Sequence, residues 1–252
     1  YVLRSPYAMA NIRSINTAIA KAAPGVLQVL TGEDWAKENY GGLPCEDANK
    51  KKQDGSPMYH PEHPVLVKDQ VRLVGDCVAF VVAETYAQAR DAAELIDVDY
   101  EPLPSVTDVE GAVAEGAPAV WPDCPDNISF FEEKGDAAAV DAAFARADHI
   151  VQQKMVVNRV TAVAMEPRGC LGDYDERQGR YTLYTGLQNP HPLRHQLAQE
   201  IFNIPETDVR VIPGDVGGSF GMRGGTYNEL PLVLWASRLV GRPVKWRCDR
   251  SE

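Results

Sequence analysis

The densest chemical signal in the chain is an eleven-residue stretch, Asp215–Val216–Gly217–Gly218–Ser219–Phe220–Gly221–Met222–Arg223–Gly224–Gly225. Five of these residues are glycines, and an aromatic sits among them. Inside a regular element each glycine costs roughly 0.5–1 kcal/mol relative to alanine, so the run reads as a loop. A strand is expected before it, Asp208–Ile212, and a helix after it, Tyr227–Val240. Strand, glycine-rich loop and helix together present amide donors and a helix N-terminus to an anion. The same spacing also serves a tight connection without a ligand, and spacing alone leaves both readings open. Two known motifs are excluded. Arg223 and Gly224 stand where G-x-x-x-x-G-K-[ST] needs Lys and Ser or Thr, and G-G-x-F-G is not the dinucleotide pattern G-x-G-x-x-G.

A second loop, Thr185–Gly186–Leu187–Gln188–Asn189–Pro190–His191, also follows an expected strand and leads into a helix. That helix returns the chain, so both loops are expected to open on one end of a sheet. The Gln188 amide and the bare N–H groups of the glycine loop would then form a set of neutral donors. Such donors suit an oxo group, a phosphate or a carbonyl. Other candidates are weaker. Ser219 lies outside any G-x-S-x-G elbow. His191 and His195 have i, i+4 spacing, but Pro192 replaces the glutamate of H-E-x-x-H. His60 and His63 have no Cys or carboxylate cluster beside them in sequence and read as surface histidines. Glu166, in Met165–Glu166–Pro167–Arg168, is expected to pair with Arg168 or cap a turn.

The elements that must position these loops can be read from the pattern. Val26–Leu30 is strand-like, and Cys77–Ala83 is a β-branched, near-continuous apolar run, as in a strand buried on both faces. Short helices are expected over 17–23 and 33–39. Thr85 is placed to cap a helix over 86–95, and 96–100 alternates like a strand before Pro102 and Pro104. Residues 40–64 read as a long surface loop with Lys50–Lys52 at a solvated tip. Residues 105–130 read as a proline-rich linker with one short helix near 108–114. Further on, a helix is expected over 136–147, strands over 149–157 and 180–185, and a helix from Pro192 to Phe202.

Bulk composition narrows the class. A chain of 252 residues, 44% of them apolar, can build one large domain or two modest ones. The net charge of −11 argues against non-specific binding to nucleic acid or anionic membranes. No apolar stretch approaches membrane-spanning length. The five cysteines, Cys45, Cys77, Cys124, Cys170 and Cys248, form no C-x-x-C pair. Neither a disulfide framework nor a cysteine metal site follows from them, and a reducing, cytoplasmic setting is expected. Cys77 reads as a small buried hydrophobe. The abrupt start at Tyr1 and end at Glu252 read as cuts through a longer chain.

In order along the chain, four stretches resemble the molybdenum-binding large subunit of the molybdenum hydroxylases, the family of xanthine dehydrogenase, aldehyde oxidase and aerobic carbon monoxide dehydrogenase. Arg4–Ile15 with Pro24–Val26 and Leu30–Asp34 is similar to the start of its α/β-hammerhead domain. Val71–Asp76 through Tyr100–Pro104 is similar to the end of that domain. Met165–Arg168 and Thr185–His191 resemble the start of its first molybdopterin-binding domain, and Gly217–Gly221 resembles its G-G-G-F-G loop. Gly241–Lys245 and Asp249–Glu252 fit as well.

The resemblance implies an α+β fold. A hammerhead domain is expected over 1–104, a linker over 105–130, and the N-terminal part of a mixed α+β molybdopterin-binding domain over 131–252. It implies that Gln188 hydrogen-bonds an oxo ligand of molybdenum. Gly217, Gly218, Ser219, Phe220 and Gly221 would line the pterin cofactor through their backbones. The cofactor is expected as the cytosine dinucleotide form. Oxygen comes from water in this family, a glutamate acts as base, and electrons leave through 2Fe-2S clusters to FAD on partner subunits, in a complex expected to be a homodimer. Ser219 departs from the family's central glycine. Gly224 stands where purine-oxidising members carry a substrate-binding glutamate, which disfavours xanthine. The catalytic glutamate and the second half of the pocket are expected beyond residue 252, so the chain is not expected to turn over alone. Two rival readings use the same residues: a non-catalytic assembly or scaffold module, and a chaperone-like or cofactor-carrying protein.

Overall fold

The computed structural model describes residues 1–250 except Glu46 and Arg159. The chain opens with strands β1 (Val2–Arg4) and β2 (Ala10–Asn16), helix α1 (Ala18–Ala22), strand β3 (Val26–Thr31) and helix α2 (Gly32–Lys37). After a long loop come β4 (Gln70–Val71), β5 (Cys77–Ala83), helix α3 (Tyr86–Ala93) and β6 (Asp97–Pro102). The apolar run of β5 is central, as its composition requires: it lies between β1 and β3, antiparallel to both. Ala89, Ala92 and Ala93 of α3 are buried in one cluster with Ala79 and Val81 of β5. Thr85 caps α3 by accepting the Gln88 N–H. A second sheet orders β4-β2-β6.

Helices α4 (Val109–Ala112) and α5 (Ala137–Arg146) follow. Residues 124–132 lie along the 40–64 loop. Ser129 Oγ donates to the Tyr59 carbonyl at 2.6 Å, and the Phe131 N–H donates to the Lys51 carbonyl at 2.9 Å. Lys50, expected at a solvated tip, is instead held 2.9 Å from Glu132. The strand expected over 149–157 does not form. Among the described residues this segment pairs with no other strand, and Val157 is 92% exposed. β-branched composition favours extended backbone, but a strand also needs a neighbouring edge to satisfy its N–H and C=O groups.

The remaining elements build one sheet. They are β7 (Gly169–Asp175), β8 (Arg180–Thr185), α6 (Pro190–His195), β9 (Val209–Ile212), α7 (Glu229–Val240) and β10 (Val244–Arg247). The order is β10-β7-β8-β9, with β8 and β9 parallel and the other pairs antiparallel. Helix α6 begins at Pro190 rather than Pro192, and its axis continues as a π-helical stretch to Phe202. Leu193, Leu197, Ile201 and Phe202 are all buried, as their shared face predicts.

The β1-β5-β3 sheet and the four-stranded sheet share one core. Val2, Leu30, Trp35 and Phe80 pack with Leu183, Leu197, Leu232, Leu234 and Trp235. Trp35 and Trp235 meet edge to face, 5.2 Å between centroids. Trp235 Nε1 also donates to Glu38 at 3.1 Å. A buried ion cluster adds a second tie: Glu229 of α7, 2% exposed, accepts from Arg4 of β1 and from Arg168. Arg168 in turn lies over the Tyr227 ring, 3.8 Å from its centroid.

Candidate functional site

Because β8 and β9 run parallel and pair directly, their C-terminal ends lie side by side. The loops that leave those ends therefore open together, as the returning helix predicts. The Gln188 loop leaves β8 and the glycine loop leaves β9. Their side chains meet where Ser219 Oγ donates to Gln188 Oε1 at 2.7 Å.

Arg223 fixes this arrangement from below. Its side chain is buried, and its planar guanidinium reaches three segments at once. Nε donates to the Gly218 carbonyl at 3.0 Å, and Nη1 to the Gly186 carbonyl at 3.0 Å. Nη2 donates to the Glu166 carbonyl at 2.8 Å and to the Glu166 carboxylate at 3.0 Å. The Arg223 carbonyl accepts the Gln188 N–H at 3.2 Å. Glu166 completes the frame by accepting the Gly217 N–H at 2.6 Å. The expected Glu166–Arg168 pair is thus replaced on both sides: Glu166 pairs with Arg223, and Arg168 pairs with Glu229. Sequence reading missed Arg223 and Glu229. The available signal was a long cation inside a glycine run, since burying such a group requires several acceptors converging on it.

The tip of the glycine loop is a tight turn closed by the Met222 N–H to the Ser219 carbonyl, 2.9 Å. Both of its central residues have positive φ, Phe220 at +52° and Gly221 at +94°. Glycine adopts this at no steric cost, but a bulky aromatic does so only under strain, roughly 1–3 kcal/mol. Phe220 is nonetheless 81% exposed, so core packing does not explain the strain. Strained and exposed residues of this kind cluster at ligand clamps.

The helix N-terminus expected behind the loop is not free to receive a ligand. Helix α7 starts at Glu229, and the carboxylate of that residue occupies its first turn. Burial pushes the Glu229 pKa up, but Arg168 and Arg4 outweigh it and hold the group below the usual glutamate range. What the loop does offer is backbone. Among the described residues, the N–H groups of Gly218, Ser219, Phe220 and Gly221 meet no acceptor in the protein, and neither does Gln188 Nε2. Neutral donors of this kind suit an oxo- and phosphate-bearing cofactor such as a molybdopterin.

Of the histidine candidates, His191 ends the Gln188 loop and is exposed. His195 Nδ1 sits 2.9 Å from Glu206 on the exposed side of α6, and His60 and His63 are exposed on the 40–64 loop. Among the described residues no three His, Cys, Asp or Glu side chains converge as metal ligands. Burial pushes the Cys77 thiol up to about 12, in keeping with an inert buried hydrophobe. Among the described residues no helix is long and apolar enough to cross a membrane.

Two family models match most of the chain. The α/β-hammerhead domain of aldehyde oxidase and xanthine dehydrogenase matches residues 1–104, and the molybdopterin cofactor-binding domain matches residues 120–252. The 6-hydroxypseudooxynicotine dehydrogenase complex subunit gamma of Paenarthrobacter nicotinovorans is 34% identical over 100% of this chain and 31% of that protein. The carbon monoxide dehydrogenase large chain of Afipia carboxidovorans is 34% identical over 99% of this chain and 31% of that protein. The crystal structure of quinoline 2-oxidoreductase from Pseudomonas putida 86 superposes with a TM-score of 0.86 at 35% identity, covering 99% of this chain and 30% of that one. The chain thus spans about a third of the length of the relatives it matches. Matched from end to end by relatives of one kind, the chain belongs to the molybdopterin-binding large subunits of the molybdenum hydroxylase family, alongside those of carbon monoxide dehydrogenase and xanthine dehydrogenase.

Proposed function

We propose that this chain forms one wall of a molybdopterin pocket in an oxidoreductase that oxidises an aldehyde, an N-heterocycle or a similar small molecule. The observation that carries the reading is the juxtaposition of two loops on parallel strands, held by Arg223 and joined at Ser219 and Gln188. When bound, the molybdenum cofactor supplies two-electron oxidation with water as the oxygen source. This chain's residues bind and orient that group. Gln188 Nε2 donates toward the metal end. The amides of Gly218–Gly221 would donate to the group's oxygens. Gly217 holds the loop to Glu166.

The same proposal extends to what lies outside these residues. The base and the opposite wall come from the part of the relatives' length that this chain does not span. Partner subunits would carry 2Fe-2S clusters and FAD as electron acceptors; the name of the Paenarthrobacter relative, a complex subunit, supports a multi-subunit assembly. The cofactor is the cytosine dinucleotide form, and the enzyme works in the cytoplasm as a homodimer of the complex. Gln188→Ala tests the central donor. In the intact complex it should lower turnover while thermal unfolding stays unchanged. Wild-type turnover in that variant would remove Gln188 from the site.

A further inference from the structure

We infer that residues 149–165 are a docking arm for the rest of the large subunit. Residues 149–157 become a strand by adding to a sheet edge on the part of the relatives' length that this chain does not span. This rests on the proposed reading in one respect, that the opposite wall of the site lies on that same part. Among the described residues, eight large apolar side chains between 150 and 165 face solvent. Val151 is 91% exposed, Val157 92%, Val160 85% and Met165 87%. Apolar residues exposed singly are ordinary, but a contiguous run marks an interaction surface. Only Lys154 and Arg159 carry charge in this stretch, and the cores of protein interfaces are depleted of charge in the same way. Ile150–Val151 and Met155–Val156–Val157 are consecutive rather than alternating. A strand with one wet face alternates, whereas a strand covered on both faces does not. The occupant must therefore supply a backbone edge and cover both sides, which a small ligand cannot do.

Two observations point to the same subunit as the source of that edge. The chain covers 31% of each of two relatives, so most of their length lies outside the matched region. The arm is also built into the frame of the site. Arg250 Nη1 donates to the Ala164 carbonyl at 2.6 Å, and Nη2 to the Met165 carbonyl at 2.8 Å. The next residue, Glu166, accepts the Gly217 N–H and pairs with Arg223. From Val157 to Glu166 the chain reaches about 30 Å at full extension. A body that closes over the two loops is therefore within reach of the arm. Docking of the arm and seating of Glu166 share one backbone, so losing the first should weaken the second.

The experiment uses the intact complex. Hydrogen exchange read by mass spectrometry should show the amides of 149–157 exchanging about a hundredfold or more slower than a free chain. Val156, 77% exposed, is the position to vary. Val156→Ile should keep the protection, and Val156→Asp should lose it together with molybdenum and pterin. A photoreactive residue, Val156→p-benzoylphenylalanine, identifies the occupant without a charge. Irradiation should join position 156 to a peptide of the large subunit outside residues 1–252, with no change in subunit mass. Free-chain exchange over 149–157 in the wild-type complex would overturn the inference. So would cross-links that double the subunit mass, that reach a partner subunit, or that stay within residues 1–252. Unchanged protection and cofactor content in Val156→Asp would do the same. A loaded complex with an unprotected arm sinks this inference alone. A protected, internally cross-linked arm in a complex without molybdenum or pterin sinks the pocket reading and leaves the arm standing.

Discussion

The guanidinium of Arg223, with 1% of its side chain exposed, lies 3.0 Å from the carboxylate of Glu166. Fifty-seven residues separate the two in sequence. Through this pair the start of the four-stranded sheet, the Gln188 loop and the glycine loop become one unit. Burial makes the arrangement brittle. Arg223→Met leaves the Gly186, Gly218 and Glu166 carbonyls without their donor and strips Glu166 of its cation. We expect a loss of about 3 kcal/mol in unfolding free energy and a marked fall in molybdenum retention by the intact complex. Arg223→Lys should rescue only part of this, because an ammonium cannot span three segments as a planar fork does. Denaturant titration with metal analysis measures both. Full retention in Arg223→Met would contradict the stapling role.

Gly217→Ala tests the second fixing point. A Cβ at position 217 would lie 2.5 Å from the Glu166 Cβ, which is too close for either to stay in place. Glu166 would have to withdraw, losing its bond to the Gly217 N–H. The expected result is intact secondary structure by circular dichroism with reduced pterin and molybdenum content. Wild-type cofactor content would show that the Glu166–Gly217 contact does not shape the site.

Glu229 ties the two halves of the chain, and its charge gives a pH signature. Arg168 and Arg4 hold its folded-state pKa below the unfolded value, despite burial. Its contribution is therefore fully present above the unfolded value of about 4.3 and is lost as pH falls through the lower folded value. Glu229→Gln should flatten stability on the acid side and lower it near neutrality by about 3 kcal/mol. Urea midpoints between about pH 3 and pH 7 measure this. An unchanged acid limb in the variant would mean that other carboxylates govern acid unfolding.

Much of this architecture is legible in the sequence where the signal is local. The apolar run of β5, the alternation of β8 and the shared face of Leu193, Leu197, Ile201 and Phe202 each follow from one segment's own pattern. The pairing of the two loops also follows, because a strand, a returning helix and a second strand make parallel neighbours. What stays hidden depends on distant partners. Residues 149–157 have strand composition but no edge to pair with among the described residues. Arg168 is two residues from Glu166, yet it faces Glu229, and Glu166 is left to Arg223. Strands β7 and β10 were obscured differently: β7 carries Gly169 and Gly172, and β10 is only four residues long, although its buried–exposed alternation was there to be seen.

The most direct test of the pocket is the composition of the intact native complex. Molybdenum by elemental analysis and pterin by fluorescence after oxidation should both be present, near one of each per large subunit, and Gln188→Ala should lower turnover without removing either. A pure, folded complex that contains neither molybdenum nor pterin would contradict the assignment of this site.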